Sequence, residues 1–232
     1  MTHAQQAYRG TDNLEAMQAA LRYNAYLTEL AVSHLPPGGR YLDFGAGIGT
    51  FTRAVAAYGR EVTALDTEPT HVDALRHQGF SAITSLDGLP DEAFDGAWSF
   101  NVLEHIQDDL SVLMDLRRVI RPGGTLVVYL PALPQLWTAM DDKVGHFRRY
   151  TRSSLSTTLR AAGFEQTTCR YADCLGALVT LAYRAIGNRN GDITRASVAA
   201  YDRFVFPASK VLDQVLRGVV GKNVFAVAER TS

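Results

Sequence analysis

The sequence predicts an α/β fold: a seven-stranded, mostly parallel sheet with helices on both faces, an N-terminal helix and a helical insertion before the last strand. Three observations predict it. Short apolar runs alternate with helical segments along the chain, which implies parallel pairing with crossover helices. A glycine-rich loop, Gly45-Ala46-Gly47-Ile48-Gly49, joins the first apolar run to the helical segment that follows. The composition, 232 residues with 47% hydrophobic and 20% charged, belongs to a globular chain rather than a disordered or fibrous one.

The elements follow in order. Asp12 with Glu15 three positions on is a capping-box arrangement, and Leu14, Met17, Leu21, Leu27 and Leu30 then keep roughly helical spacing. Pro36-Pro37-Gly38-Gly39 stops that helix. Strands are expected over 40–46, 61–66, 81–86, 94–101, 125–131, 164–172 and 223–230. Helices are expected over 50–58, from Pro69 to before Gly79, over 109–120 and over 151–162. Arg121-Pro122-Gly123-Gly124 ends the third of these. The insertion, 173–222, carries apolar helical segments at 175–186 and 197–216, the second interrupted by Pro207, with Asn188-Arg189-Asn190-Gly191-Asp192 as the turn between them. Its two readings are extra helices packed on the sheet edge and a lid over a substrate pocket. The whole chain, 1–232, reads as one domain: a leading helix or lid at 12–35, a core sheet at 40–172 and 223–230, and the insertion.

Charge and cysteine content exclude several function classes. Lys+Arg is 23 and Asp+Glu is 24, a net charge of −1, whereas a general nucleic-acid binder needs a basic excess. Cys169 and Cys174 are too few for a disulfide framework and do not form a CxxC pattern. The first residues contain acids and no apolar core, unlike a signal peptide. The charge-free stretch from Cys174 to Tyr183 is far short of the ~20 residues that span a bilayer. The expectation is a cytoplasmic chain with a small-molecule substrate, no nucleic acid and no stable membrane insertion; a homodimer is left open.

The glycine loop points to an adenosine-bearing ligand. Its glycines let backbone turn tightly and approach a ligand where a Cβ would clash, and the following helix aims free N–H groups into the loop. A dinucleotide site wants G-x-G-x-x-G, but the spacing here is G-x-G-x-G, with Thr50 after it. Asp43 stands two positions before the first glycine, where a carboxylate would repel a pyrophosphate and suit an ammonium group. Asp66 ends the second strand, placed to accept hydrogen bonds from ribose hydroxyls.

These segments resemble the class I S-adenosylmethionine (SAM)-dependent methyltransferases, whose fold is a Rossmann-like sheet. Residues 43–49 resemble their first motif and Leu65-Asp66 their second. Ser85-Leu86-Asp87 resembles the segment that meets adenine, Phe100-Asn101-Val102-Leu103-Glu104-His105-Ile106 the stretch after strand four, and 121–126 the turn before strand five. The resemblance implies SAM as cofactor, S-adenosylhomocysteine as product, and a cofactor set of Tyr23, Asn24, Asp43, Gly45, Ala46, Gly47, Gly49, Asp66, Thr67, Leu86, Asp87, Asn101 and Val102. Arg22–Leu27 and Gly145-His146-Phe147-Arg148-Arg149-Tyr150 further resemble a bacterial subgroup with a GHxRRY segment, often found beside glycosyltransferases of surface-polysaccharide or lipid pathways.

Methyl transfer is a displacement at an already activated carbon, so the protein mainly supplies proximity, and a base only where the acceptor carries a proton. His146 is the first candidate base, with His105 and Tyr150 behind it; against each stands a purely structural role. Arg148 and Arg149 are candidate forks for an acceptor carboxylate or phosphate, Tyr129 and Trp137 candidate pocket walls, and Asp141 and Asp142 weaker candidates. Asn101 is followed by Val102 rather than by the Pro-Pro of adenine and cytosine amino-methyltransferases. Only one glutamate, Glu104, lies where protein-arginine methyltransferases need two. With no HExxH and no Cys/His cluster, no metal is expected. What remains is methyl transfer to O, N or C of a small molecule, in secondary metabolism or glycan or lipid biosynthesis. The alternatives are a SAM-using enzyme that cyclises or cleaves SAM, releasing methylthioadenosine, and a non-catalytic SAM-binding subunit.

Overall fold

A computed structural model describes residues 16–186, 194–216 and 219–231. The expected capping box at Asp12 and Glu15 and the turn at 188–192 lie outside these residues. Helix α1 (Leu21–His34) leads into β1 (Arg40–Phe44), α2 (Thr50–Ala56), β2 (Glu61–Leu65), α3 (Pro69–His77), β3 (Ser81–Ile83) and β4 (Phe94–Phe100). Then follow α4 (Asp109–Val119), β5 (Ile120–Pro131), α5 (Ala139–Val144), α6 (Arg152–Ala161) and β6 (Phe164–Ala172). The insertion supplies α7 (Cys174–Ile186), α8 (Arg195–Ala200), a π-turn (Tyr201–Val205) and α9 (Phe206–Leu216) before β7 (Asn223–Arg230).

The seven strands form one sheet in the order β3-β2-β1-β4-β5-β7-β6. The first five pair in parallel, and β7 runs antiparallel to both β5 and β6. The exception has a simple cause. The insertion leaves from the end of β6 and returns to the same end, where Lys222 N–H donates to Asp173 O at 3.0 Å. β7 can then only run back along β6, with Asn223 opposite Ala172.

Alternation along the strands builds a core on each face. On one side Leu126, Val128 and Leu130 of β5 pack with Leu113 and Leu116 of α4 and Leu155 and Leu159 of α6. On the other, Val127 and Tyr129 pack with Trp98, Phe225, Val55 and with Leu27, Leu30 and Ala31 of α1. Asp108 caps α4 by accepting from Ser111 N–H, and Thr151 with Ser154 boxes the start of α6. Two edges differ from expectation. β3 is only three residues long, because the Ser85–Gly88 stretch turns away from the sheet. β5 starts at Ile120 and not Thr125: residues 121–124 bulge out opposite Asp95, whose carboxylate accepts from Arg121 Nε at 2.7 Å. Among the described residues no helix is long and apolar enough to cross a membrane.

Candidate active site

Parallel strands β1, β2 and β4 deliver their following loops to one edge of the sheet, the edge where open α/β sheets bind ligands. After Phe44 the backbone turns at Gly45, with φ +84°. The N–H groups of Gly45 and Ala46 both donate to Leu65 O at 2.8 Å, and Gly47 N–H donates to Asp66 Oδ2 at 2.6 Å. A Cβ on Gly45 would sit 2.2 Å from Val102 Cγ2, and one on Gly49 would sit 2.3 Å from Leu75 Cδ2. Bare backbone is therefore what allows the loop to lie against the turn after β4 on one side and α3 on the other.

The two acids of this region have different surroundings. Asp66 is half-buried at the end of β2; beyond Gly47 it accepts from Glu68 N–H at 3.0 Å and lies 3.2 Å from His71 Nδ1. Thr67 beside it is exposed. Asp43 is 2% exposed and accepts from Thr52 Oγ1 at 2.6 Å. Burial pushes its carboxyl up to about 7, against the pull of the Thr52 hydroxyl and with a further push from the Asp66 charge. Asp43 thus ties the loop to α2 from beneath, where the sequence suggests a carboxylate facing an ammonium group. Leu86 is buried; Asp87 is exposed and its carboxylate accepts from Ser85 Oγ at 2.7 Å.

Asn101, held at φ +55°, donates its N–H to Tyr129 O at 2.8 Å and brings Nδ2 to 3.5 Å from the Tyr23 hydroxyl. Tyr23 stands edge-on to Tyr129 and Phe206, at 5.9 and 5.4 Å between ring centroids. Burial pushes the phenols of Tyr23 and Tyr129 up. Tyr129 is fully buried under α1. Asn24 turns the other way, donating Nδ2 to Met17 O at 3.0 Å. The start of α1 is capped by the insertion: Asp202, 3% exposed, accepts from Arg22 N–H at 2.9 Å and Tyr23 N–H at 2.8 Å.

The second half of the site is built on the loop after β5. A Thr138–Asp141 capping box starts α5, an element the sequence reading does not include. Asp141 is 1% exposed and receives Arg149 Nε at 2.8 Å, Arg149 Nη2 at 2.9 Å and His146 Nδ1 at 2.7 Å. Burial pushes the Asp141 carboxyl up, but the hydrogen bonds from His146 and Arg149 outweigh it and hold the group well below the usual carboxylate range. His146 Nε2 lies 3.8 Å from Glu104 Oε1, and its ring stands 4.6 Å from that of His105, edge to face. Phe147 N–H donates to Glu104 O at 2.7 Å, which pins this loop to the turn after β4. Burial raises the Glu104 carboxyl to about 8, against the attraction of Arg149. Burial lowers His105 to about 4, helped by the neighbouring His146, while backbone groups of Val144 and Gly145 push the other way.

Three of the expected site residues have internal partners here. The Arg149 fork is spent inside the protein, on Asp141 and on Ala132 O at 3.2 Å. Arg148 pairs with Asp109 at 2.6 Å and donates to Gln107 O. Tyr150 is 2% exposed and its hydroxyl donates to Asp109 Oδ2 at 2.6 Å, with burial and the Asp109 charge raising it far above the usual phenol range. These three side chains brace the loop, Arg148 and Tyr150 against α4 and the turn before it and Arg149 against α5. Trp137 is half-buried, 6.4 Å from the His146 ring, with Nε1 donating to Asp142 Oδ1.

The fold thus gathers the glycine loop, Asp66, Asn101, Val102, Tyr23, Glu104, His105 and His146 at one sheet edge. Asp202 and the partnership of Asp141 with His146 and Arg149 escape the sequence reading, because each joins segments far apart in the chain. A glycine-loop α/β fold with an acid ending β2 and a Glu104–His105–His146 group at the same sheet edge defines an enzyme class that binds a nucleotide-bearing cofactor.

A family model described as a methyltransferase domain matches residues 14–168. The malonyl-[acyl-carrier protein] O-methyltransferase of Pseudescherichia vulneris is 31% identical over 178 residues, covering 68% of this chain and 70% of that protein. The ubiquinone biosynthesis O-methyltransferase of Xanthomonas campestris pv. campestris (strain B100) is 33% identical over 100 residues, 39% of this chain and 42% of that one, so the chain spans less than half of it. A solved SAM-dependent methyltransferase from Mesorhizobium loti shares the fold at TM-score 0.59 and 18% identity, over 88% of this chain and 96% of that one. The chain belongs to the class I SAM-dependent methyltransferases.

Proposed function

We propose that this chain transfers the methyl group of SAM to an oxygen of a small-molecule acceptor. The observation that carries the reading is the continuity of one short segment: Val102 fills the space beside Gly45, and two residues on Glu104 and His105 meet His146. A cofactor seated on the glycine loop and an acceptor seated on the Glu104–His105–His146 group are then neighbours.

The residues fit the cofactor. The bend at Gly45 is side-chain-free, and Asp66 ends β2 with a carboxylate at the same edge. Gly45, Ala46, Gly47 and Gly49 would hold it through backbone, Asp66 with Thr67 at the ribose, Leu86 and Asp87 at adenine, and Asn101, Val102 and Tyr23 toward the methionine end, with Asn24 acting only through its bond to Met17 O. Asp43 acts through α2. When bound, SAM supplies an electrophilic methyl: the acceptor oxygen forms the O–C bond, the C–S bond breaks, and its electron pair leaves on sulfur. The chain aligns the acceptor. The Glu104, His105 and His146 group is where the acceptor's hydroxyl becomes nucleophilic, with Asp141 fixing the His146 ring. Residues 1–232 work as a single domain, in which α1 and the insertion at 173–222 act as one cover, joined by Asp202. Two of the relatives are by name O-methyltransferases, which supports oxygen as the acceptor atom.

The test is incubation with SAM and a panel of phenols, alcohols and carboxylic acids. S-adenosylhomocysteine and an O-methylated product are expected in equal amounts. S-adenosylhomocysteine matched by N- or C-methylated product overturns the choice of oxygen. Methylthioadenosine from SAM alone overturns methyl transfer itself.

A further inference from the structure

We propose that Glu104, His105 and His146 bind one divalent cation, and that this cation holds the acceptor's oxygen. The inference deepens the methyl-transfer reading and rests on it.

Three observations carry it. The first is geometric. One carboxylate oxygen of Glu104 and one ring nitrogen from each histidine lie within 4.8 Å of one another, with His146 Nε2 and Glu104 Oε1 at 3.8 Å. Metal bonds of about 2.1 Å at a tetrahedral angle put donor atoms about 3.4 Å apart, so the widest pair closes by about 1.4 Å.

The second is an unsatisfied group. Glu104 is 1% exposed, and its Oε2 has no hydrogen-bond partner among the described residues. A buried carboxylate oxygen without a donor is costly, and calls for an ion or a proton. Oε1 of the same carboxylate faces an imidazole nitrogen.

The third is how the ring is held. Asp141 is a carboxylate gripped by the Arg149 fork, so the His146 Nδ1 beside it carries the hydrogen. In the neutral ring the lone pair is then on Nε2, the nitrogen that lies 3.8 Å from Glu104 Oε1. Metal-bound histidines are held in this way, with the second nitrogen donating to a carboxylate. Two imidazoles and one carboxylate suit Zn²⁺, Fe²⁺ or Co²⁺ and leave coordination positions open for a substrate.

The chemistry follows. The acceptor's hydroxyl binds the cation, which lowers its pKa, and its proton passes to water. The oxygen's electron pair forms the O–C bond as the C–S bond of SAM breaks, and that pair leaves on sulfur. The cation keeps its charge throughout.

The experiment uses the full chain, stripped with a chelator that is then removed, and titrated with Co²⁺. One equivalent is expected to bind, with visible absorption from nitrogen and oxygen ligands and no thiolate band. His105→Asn and Glu104→Gln are each expected to weaken Co²⁺ binding at least tenfold, with S-adenosylhomocysteine affinity unchanged within twofold. Failure of the wild-type chain to bind Co²⁺ while it binds S-adenosylhomocysteine overturns the inference alone. A thiolate band from Cys169 or Cys174, or binding that survives both variants, does the same. Failure to bind S-adenosylhomocysteine overturns the methyl-transfer reading, and this inference with it. The wild-type titration decides even where a variant does not fold.

Discussion

Replacing Gly45 by alanine tests the contact between the cofactor loop and the turn after β4. At φ +84° an L-residue costs about 1–2 kcal/mol more than glycine. The added methyl would stand 2.2 Å from Val102 Cγ2 and 2.7 Å from Cγ1, where carbon atoms prefer about 3.5–4.0 Å. Either Val102 or the loop must move by more than an ångström, and overpacking of that kind costs about 1–3 kcal/mol. The two contributions together come to roughly 3 kcal/mol, or a fall in Tm of roughly 6–12 °C for a chain of this size. Thermal unfolding with and without S-adenosylhomocysteine measures it, and calorimetry of the same ligand should show at least a tenfold loss of affinity. A double variant separates the contributions. Gly45→Ala with Val102→Ala keeps the backbone strain and removes the clash, so it should be less destabilised than the two single effects added, by about 1 kcal/mol. Strict additivity, or an alanine variant with native Tm and affinity, would refute the placement of Val102 as the wall of the loop.

Other parts of the site make their own predictions. Asp202→Ala removes both acceptors at the start of α1 and should cost about 0.5–2 kcal/mol; hydrogen exchange at the Arg22 and Tyr23 amides should speed up, and unchanged protection there would contradict the cap. Arg149→Met leaves the Asp141 carboxylate buried without its main partner and should cost about 3–5 kcal/mol in urea unfolding; a loss below about 1 kcal/mol would mean that the pair is not buried as described. Asp43 sets a pH dependence. Its folded-state carboxyl titrates near 7, above the ordinary 3.8, mainly through burial. The folded chain therefore binds a proton that the unfolded chain releases. The resulting stability is complete below about pH 4 and is lost as pH rises through about 7. Asp43→Asn should flatten the fall of Tm across that window, and an unaltered slope would count against it.

The fold was largely legible because its signals are local. Short apolar runs mark most of the strands, and β6 and β7 fall on the residues expected. The glycine loop is read from five consecutive residues, since its conformation depends on the absence of side chains there. The direction of β7 follows from where the insertion begins and ends in space, which no local pattern encodes. α5 is six residues long, too short for a hydrophobic period, and rests on a capping box. The spacing of Asp43 from Gly45 is visible in the sequence, whereas its partner Thr52 is reached only once α2 folds back over β1.

The segment Gly145–Tyr150 shows how function and bracing divide within one stretch of sequence. By composition it is a basic surface loop, and two arginines and a histidine together suggest an anion site. The fold gives almost every polar side chain in it an internal partner: Arg148 and Tyr150 share Asp109, and Arg149 with His146 shares Asp141. Buried charges of this kind persist only when paired, so each acid is matched by a group from this loop. The consequence for chemistry is positional. Asp109 at the start of α4 and Glu104 just before it belong to the chain that leaves β4, while Asp141 and His146 belong to the chain that leaves β5. The arginine and tyrosine contacts lock the second chain onto the first, and Nε2 of His146 is thereby set 3.8 Å from Glu104. Loosening any brace should then move the imidazole and the carboxylate apart before it alters the cofactor loop. In a variant such as Tyr150→Phe, kcat should fall while the affinity for S-adenosylhomocysteine holds. A matched loss of both would show that the two halves of the site are one mechanical unit.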